Sequence, residues 1–214
     1  MKSVKQLLKI RRAAGVLLRD ELWRDLAPLP VSSSFHCRPV QPGDRTSLRA
    51  LVQTDQPRPQ IVRLLLSGRS AFVACAGKEP VAAAIYMQKA IRFNRAIIHR
   101  LRPDECYLAY IYVHPRYRKH AALTTLTQFL RNYWRGKDKR VVYALVNENN
   151  LEGLAAIVQT ELVTDAYLTV DRWLVFTRTR WVRPFTREDL DELIRSRFTD
   201  RHATKGVGRL TRQA

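Results

Sequence analysis

Apolar and polar positions change period several times along this chain, and each change marks an element. Residues Phe35 to Val40 read as a strand, followed by a turn at Pro42-Gly43-Asp44 and a helical segment with Leu48, Leu51 and Val52 on one side. Pro57 and Pro59 break that helix. A second helical piece, Gln60 to Leu66, leads through Gly68 to two strands, Ala71 to Ala76 and Val81 to Gln88, joined by a Gly77-Lys78-Glu79-Pro80 turn. Arg95 to Leu101 reads as extended. Cys106 to Val113 is rich in aromatic and β-branched residues and forms the next strand, which Pro115 ends. Leu123, Leu126, Phe129, Leu130, Tyr133 and Trp134 then recur at helical spacing. A strand over Val141 to Val146, a helix from about Leu151 to Leu162 and a strand pair spanning Tyr167 to Thr177 complete the order β-α-α-β-β-β-α-β-α-β.

Both ends carry extensions. Val4, Leu7, Leu8, Ala14, Leu18 and Leu22 fall near helical spacing with Lys5, Lys9, Arg12 and Arg19 among them, which predicts a basic amphipathic helix. Pro28, Pro30 and Ser32-Ser33-Ser34 form a linker into the core. At the other end Pro184 and Thr186-Arg187-Glu188-Asp189 predict a capped helix start with Leu190, Leu193 and Ile194 behind it, and the last dozen residues read as a basic tail. The expected organisation is an N-terminal helix and linker over 1–34, a central domain over 35–180, and a C-terminal helix and tail over 181–214.

The chemistry concentrates where the Cys106 to Val113 strand opens onto a helix. A helix start presents backbone N–H groups without intrahelical acceptors and the positive end of the macrodipole, which together favour an anion. The turn reads Val113-His114-Pro115-Arg116-Tyr117-Arg118-Lys119-His120-Ala121-Ala122. This Val-x-Pro-x-Tyr-Arg wording, with small residues in the turn behind it, resembles the acyl-CoA pyrophosphate loop of the GNAT acyltransferase superfamily, whose usual form is Arg/Gln-x-x-Gly-x-Gly/Ala. The order of elements from 35 to 180 resembles the same family. So does the Asn147-Glu148-Asn149-Asn150 turn, which is similar to the Asn-rich segment beside the family's pantetheine arm.

The resemblance implies an α/β fold of the α+β kind: a mixed, mostly antiparallel central sheet flanked by helices, here with helical extensions at both ends. It implies transfer of an acetyl or longer acyl group from acyl-CoA, as co-substrate, to an amine. Arg118 takes the leading position of the loop, Ala121 the first Gly and Leu123 the second Gly/Ala, with Lys119, His120 and Ala122 at the phosphate end. Ala replaces Gly without strain only where φ stays below zero, and Leu123 adds bulk. Backbone groups near Ile111 and Val113 would pair with the pantetheine as an added strand would. Asn150 takes the place of the cofactor-contacting Asn, and it is also a good helix N-cap. Ile157 stands where the family commonly has a proton-donating Tyr.

Transfer to an amine needs a neutral amine, and a primary amine near pKa ~10.4 is mostly protonated at neutral pH. Side chains alternate along a strand, so Glu105, Tyr107, Ala109, Ile111 and Val113 are expected on one face. Tyr107 sits where several relatives carry a base, and a phenol there suits holding water or substrate. Glu105 is the better proton acceptor by chemistry, at the strand's start; a water chain is the third route.

Length and composition set outer bounds. A chain of 214 residues can bury roughly 70% of its unfolded surface. There is no apolar run near the length of a membrane span and no signal-peptide pattern, so a cytoplasmic location is expected, with peripheral docking at the inner face of a membrane as an alternative. Cys37, Cys75 and Cys106 fall within expected strands and read as reduced core residues. No cluster has metal-ligand spacing. The formal net charge of +19 exceeds what solubility requires and implies a polyanionic partner: RNA, an anionic membrane surface or an acyl carrier protein. Positive charge is spread along the chain, with +5 over residues 1–24 and +5 over 178–214. An RNA-directed acetyltransferase, a non-catalytic CoA-binding module and a homodimer are the further readings.

Overall fold

In a computed structural model of the protein, residues 11–24, 31–53, 65, 70–93, 96–118, 121–158, 163–173 and 176–197 are described. Within them the chain runs β1 (Arg11–Glu21), β2 (His36–Pro39), α1 (Arg45–Gln53), β3 (Ala71–Ala76), β4 (Glu79–Met87), β5 (Ala90–Phe93), β6 (Ala96–Arg100), β7 (Glu105–Val113), α2 (Ala122–Arg135), β8 (Val141–Asn147), α3 (Leu151–Val158), β9 (Val163–Trp173) and β10 (Phe176–Val182). A last helix, α4, covers 187–197. The architecture is mixed α+β, a large and mostly antiparallel sheet with helices, plus a two-stranded β5-β6 ribbon. Contacts divide the chain into two units, Glu21–Ile91 with His99–Val142, and Met1–Asp20 with Arg92–Ile98 and Tyr143–Ala214.

In the first unit the strand order is β7-β4-β3-β2, antiparallel throughout. Gly77, at φ +58 where a side chain is strained, makes the tight β3–β4 turn. One sheet face packs against α2: Leu126, Leu130 and Trp134 lie on Phe72, Ala74, Ala82, Ala84, Tyr86 and Cys106. Leu48 and Leu51 of α1, with Leu65, cover Ala71, Val73, Cys75, Ala83 and Ile85 on the other. The fully buried Ala82-Ala83-Ala84 run keeps both faces of β4 low, so helix side chains approach closely. Each Leu or Phe buried this way contributes about 1.5–3 kcal/mol. A bidentate Arg38–Asp44 pair, 2.7 Å on both arms, fastens β2 to the turn ahead of α1. Cys75 and Cys106 are buried and Cys37 is half-buried; all three are free thiols, and burial pushes Cys37 up to about 11.

In the second unit the order is β10-β9-β1-β8. The expected N-terminal helix is corrected here: its residues 11–21 form strand β1, paired antiparallel with β9 from Arg11↔Arg172 to Arg19↔Val163. The remainder of that expected helix, residues 1–10, lies outside the described residues. Ala14, Val16, Leu17 and Leu18 are all buried, and such a run buries both faces of a strand, whereas a surface helix buries one stripe. Gly15 fits because an added Cβ would stand 2.6 Å from the Val146 carbonyl oxygen. The closing strand pair spans 163–182 and is longer than expected. Thr186 and Asp189 cap α4 reciprocally, as expected from their spacing, and Leu190 is buried. The Gln60 to Leu66 segment, apart from Leu65, and the C-terminal tail lie outside the described residues.

Candidate functional site

The β7 ladder ends where the His114 N–H reaches the Val81 carbonyl at 2.9 Å. Pro115 then opens a one-turn 3-10 helix, Pro115–Tyr117. Tyr117 packs edge-on against Phe35 and His114, which anchors the turn. The His114 ring nitrogen Nδ1 accepts from the Arg116 amide at 3.3 Å, so His114 serves the turn itself. Arg118 is exposed, and its Nε donates to the Val113 carbonyl at 3.3 Å, which folds the guanidinium back over the strand end. Lys119 and His120 lie outside the described residues.

Ala121 has φ 55 and ψ 9, in the left-handed region. The condition under which Ala stands in for Gly without strain therefore does not hold: the loop keeps the glycine geometry and places a Cβ on it, at about 1–2 kcal/mol. Helix α2 follows directly. Thr125 N–H and Thr124 Oγ1 both donate to the Ala121 carbonyl, and among the described residues no side chain caps the helix. The amides of Ala122, Leu123 and Thr124 thus have no intrahelical acceptor at the positive end of a 14-residue helix. Ala122 is buried and Leu123 half-buried, so the bulk of Leu123 is partly turned into the protein. This end is chemically suited to a diphosphate.

Along β7 one expectation is corrected. Ile85 pairs with Tyr110 and Tyr86 with Leu108, so Ala109 is an extra residue, a β-bulge. A bulge reverses the alternation beyond it. Cys106, Leu108, Ile111 and Val113 share the α2 face, while Tyr110 and Tyr112 pack on the α1 face. Tyr107 and Glu105, alternating with Cys106, fall on the α1 side; they do not share a face with Ile111 and Val113. Ile111 and Val113 sit opposite Ala84 and Ala82 on β4.

Tyr107 is 7% exposed, and burial pushes its phenol up to about 12. At neutral pH it is a hydrogen-bond donor. Glu105 is 1% exposed. Its carboxylate accepts from His99 Nε2 at 3.0 Å, from the Arg102 amide at 2.9 Å and from Arg102 Nε at 3.0 Å. Burial alone would raise the Glu105 carboxyl; the Arg102 amide, His99 and the Arg102 guanidinium together hold it below its ordinary range. A carboxylate so engaged is a weak proton acceptor and a strong anchor for the strand. Sequence reasoning missed His99 and Arg102. The signal was the Arg102-Pro103-Asp104-Glu105 turn, where a carboxylate three residues on can close back onto an amide.

In the other unit, Asn150 caps α3. Its Oδ1 accepts from the Gly153 amide at 3.1 Å and its carbonyl from Leu154 at 2.9 Å, which leaves the exposed Nδ2 donors available. Glu148, in the same turn, accepts from the Tyr167 hydroxyl and from Arg197 of α4, each at 2.7 Å. Among the described residues no group of three or more His, Cys, Asp or Glu could hold a metal ion, and no helix is long and apolar enough to cross a membrane.

Comparisons with known proteins follow the same line. The chain is similar to a GCN5-related N-acetyltransferase from Sphaerobacter thermophilus, at 11% identity and TM-score 0.56, over 82% of this chain and 54% of that one. A GNAT-family acetyltransferase from Colwellia psychrerythraea matches at 12% identity and TM-score 0.55, over 76% of this chain and 56% of that one. Ard1 from Thermoplasma volcanium matches at 16% identity and TM-score 0.50, over 67% of this chain and 99% of that one. The chain thus spans about half the length of the first two relatives, and at these identities the likeness speaks to the fold. No curated protein matches in sequence. The acetyltransferase (GNAT) family model matches residues 38–156, which is more than half of the 214-residue chain, so the chain belongs to the GNAT acetyltransferase family.

Proposed function

We propose that the chain moves an acetyl or longer acyl group from acyl-CoA to an amine. The observation that carries this reading is the uncapped start of α2, one tight turn beyond Val113. The amides of Ala122 and Leu123, with the Arg118 side chain and the Lys119 and His120 positions, hold the diphosphate. The resemblance has the extended arm pair with the backbone at Ile111 and Val113, which requires Arg118 Nε to release the Val113 carbonyl it now holds. The family resemblance gives Asn150 a cofactor contact through its Nδ2 donors, while its Oδ1 stays on the helix cap. Bound acyl-CoA supplies the thioester carbon and a thiolate leaving group.

A bulge turns main-chain groups out of the ladder, so the β7 backbone around Ala109 can polarise a carbonyl beside it. Tyr107 keeps its proton and, buried on the face of β7 opposite Ile111 and Val113, supports the wall of the site rather than touching the amine. The proton of the ammonium passes to water, because the Glu105 carboxylate is already filled by His99 and Arg102. With Ile157 in place of a phenol, the thiolate departs unprotonated, which an intrinsic thiol pKa of ~8.5 permits. Ile157 also favours the second reading, a module that binds acyl-CoA without turnover.

The test is calorimetric titration with acetyl-CoA, longer acyl-CoAs and acylated carrier protein, followed by thiol release with a panel of amines. Thioester binding with amine-dependent release supports transfer. Binding without release selects the module, and no thioester binding overturns both.

A further inference from the structure

At the opposite end of the first unit from the α2 start, residues 22–24 fold onto the turn that follows α2. The Leu22 amide donates to the Arg140 carbonyl at 2.8 Å. Arg135 reaches the Leu22 carbonyl through Nε and the Arg24 carbonyl through Nη2, the latter at 3.0 Å, and Lys139 Nζ reaches the Pro103 carbonyl. Trp23 Nε1 donates to the Lys139 carbonyl at 3.1 Å. That bond pegs the indole by its edge, yet Trp23 is 63% exposed. Burying a ring this large removes 150–250 Å² from water, so an indole held outward leaves a large favourable term unused.

The surroundings of the ring are cationic. Residues 131–140 include Arg131, Arg135, Lys137, Lys139 and Arg140 against one acid, Asp138. Arg135 and Lys139 are bound to neutral carbonyls, so their charge is not cancelled by their partners. Arg24, Lys137 and Arg140 are exposed, and their side chains form no ion pair among the described residues. The acids closest in sequence to Trp23 are Asp20, Glu21 and Asp25, and Asp104, whose carbonyl accepts the Arg140 amide, is paired with Arg102 at 3.8 Å. Trp181, the other exposed tryptophan among the described residues, has the Arg183 guanidinium 4.9 Å above its ring. No ring or guanidinium covers Trp23 among the described residues.

We infer that this corner binds single-stranded nucleic acid, with Trp23 stacking on a base while Arg24, Lys137 and Arg140 contact flanking phosphates. An aromatic face set among cations is what a flexible polyanion with planar bases recognises. An anionic bilayer fits less well, because interfacial insertion needs a contiguous apolar face, and Trp23 stands alone among charges. The corner is separate from the acyl-CoA loop, so its occupancy does not depend on acyl transfer.

The experiment is fluorescence anisotropy of labelled oligo(U), twenty nucleotides long, titrated with the full-length protein without acyl-CoA across a salt series. Trp23→Ala is expected to weaken binding about tenfold with the salt slope unchanged, since stacking carries no counterions. The double variant Lys137→Gln/Arg140→Gln is expected to lower the slope by about 1.4, the value for two single-strand phosphate contacts. Melting temperatures of both variants serve as a fold control. Wild-type affinity in Trp23→Ala, or association with phosphatidylglycerol vesicles in place of oligo(U), overturns the inference.

Discussion

The two ends of β7 stand in opposite states. At the Glu105 end a buried carboxylate meets the His99 ring and both the amide and the guanidinium of Arg102, so each polar group there is answered within the protein. At the Val113 end the strand passes through one tight turn to a helix whose first amides have no acceptor in the helix and no side-chain cap among the described residues. Buried polar groups are costly unless paired, and an open set at a helix start is supported by solvent or by an anion. The difference teaches which end is closed within the protein and which keeps hydrogen-bond capacity open. Charge alone does not separate them, since arginines stand at both; what separates them is whether the hydrogen-bond capacity is already spent.

The largest effect is expected at the open end. Arg118→Glu replaces a positive charge beside the diphosphate with a negative one and is expected to raise the acetyl-CoA dissociation constant between about ten- and a hundredfold, the range of a lost charge-assisted hydrogen bond. Calorimetry measures it, and an unchanged constant would break the assignment of the diphosphate to this end. At the closed end, Glu105→Ala is expected to cost about 1–3 kcal/mol in denaturant unfolding, discounted because His99 and Arg102 are partly exposed. Because the folded Glu105 carboxyl lies below its unfolded value near ~4.3, its contribution is fully present above that pH and fades as pH falls through the folded value. The gap between wild type and Glu105→Gln should therefore narrow below about pH 4.3; a gap that widens there would show that Glu105 is protonated in the native state.

Smaller effects sharpen the contrast. Asn150→Ala is expected to cost about 1 kcal/mol as a lost cap. Asn150→Asp keeps the acceptor but not the Nδ2 donors, so its melting temperature should match wild type while acetyl-CoA affinity drops severalfold. Equal affinity would reduce Asn150 to a cap. Ala121→Gly relieves the left-handed Cβ against some added chain entropy, for a net gain of about 0.5–1 kcal/mol, read as a melting temperature higher by about 1–4 °C.

Most elements of the fold were legible because their periods are local: the Gly77 hairpin, the α2 stripe and the Thr186 cap each announce themselves within a few residues. Two were not. Residues 11–21 carry apolar positions at helical spacing, and only pairing with β9, distant in sequence, makes them a strand. The bulge at Ala109 has no residue signature, yet it moves Ile111 and Val113 onto the face opposite Tyr107. The tight turn and helix start behind Val113 were legible from their wording, whereas the engagement of Glu105 depended on His99, brought in by β6.

Strand β1 is made well before the residues it pairs with, Val163 to Arg172, which lie far along the chain. Its buried Val16, Leu17 and Leu18 must wait uncovered until then. Such long-range pairing is slow and aggregation-exposed, so yield in the cell should depend on chaperones and falling temperature more than the helical half of the sequence would suggest. For the same reason, trimming the chain past residue 10 removes a central strand of that unit rather than a dispensable leader.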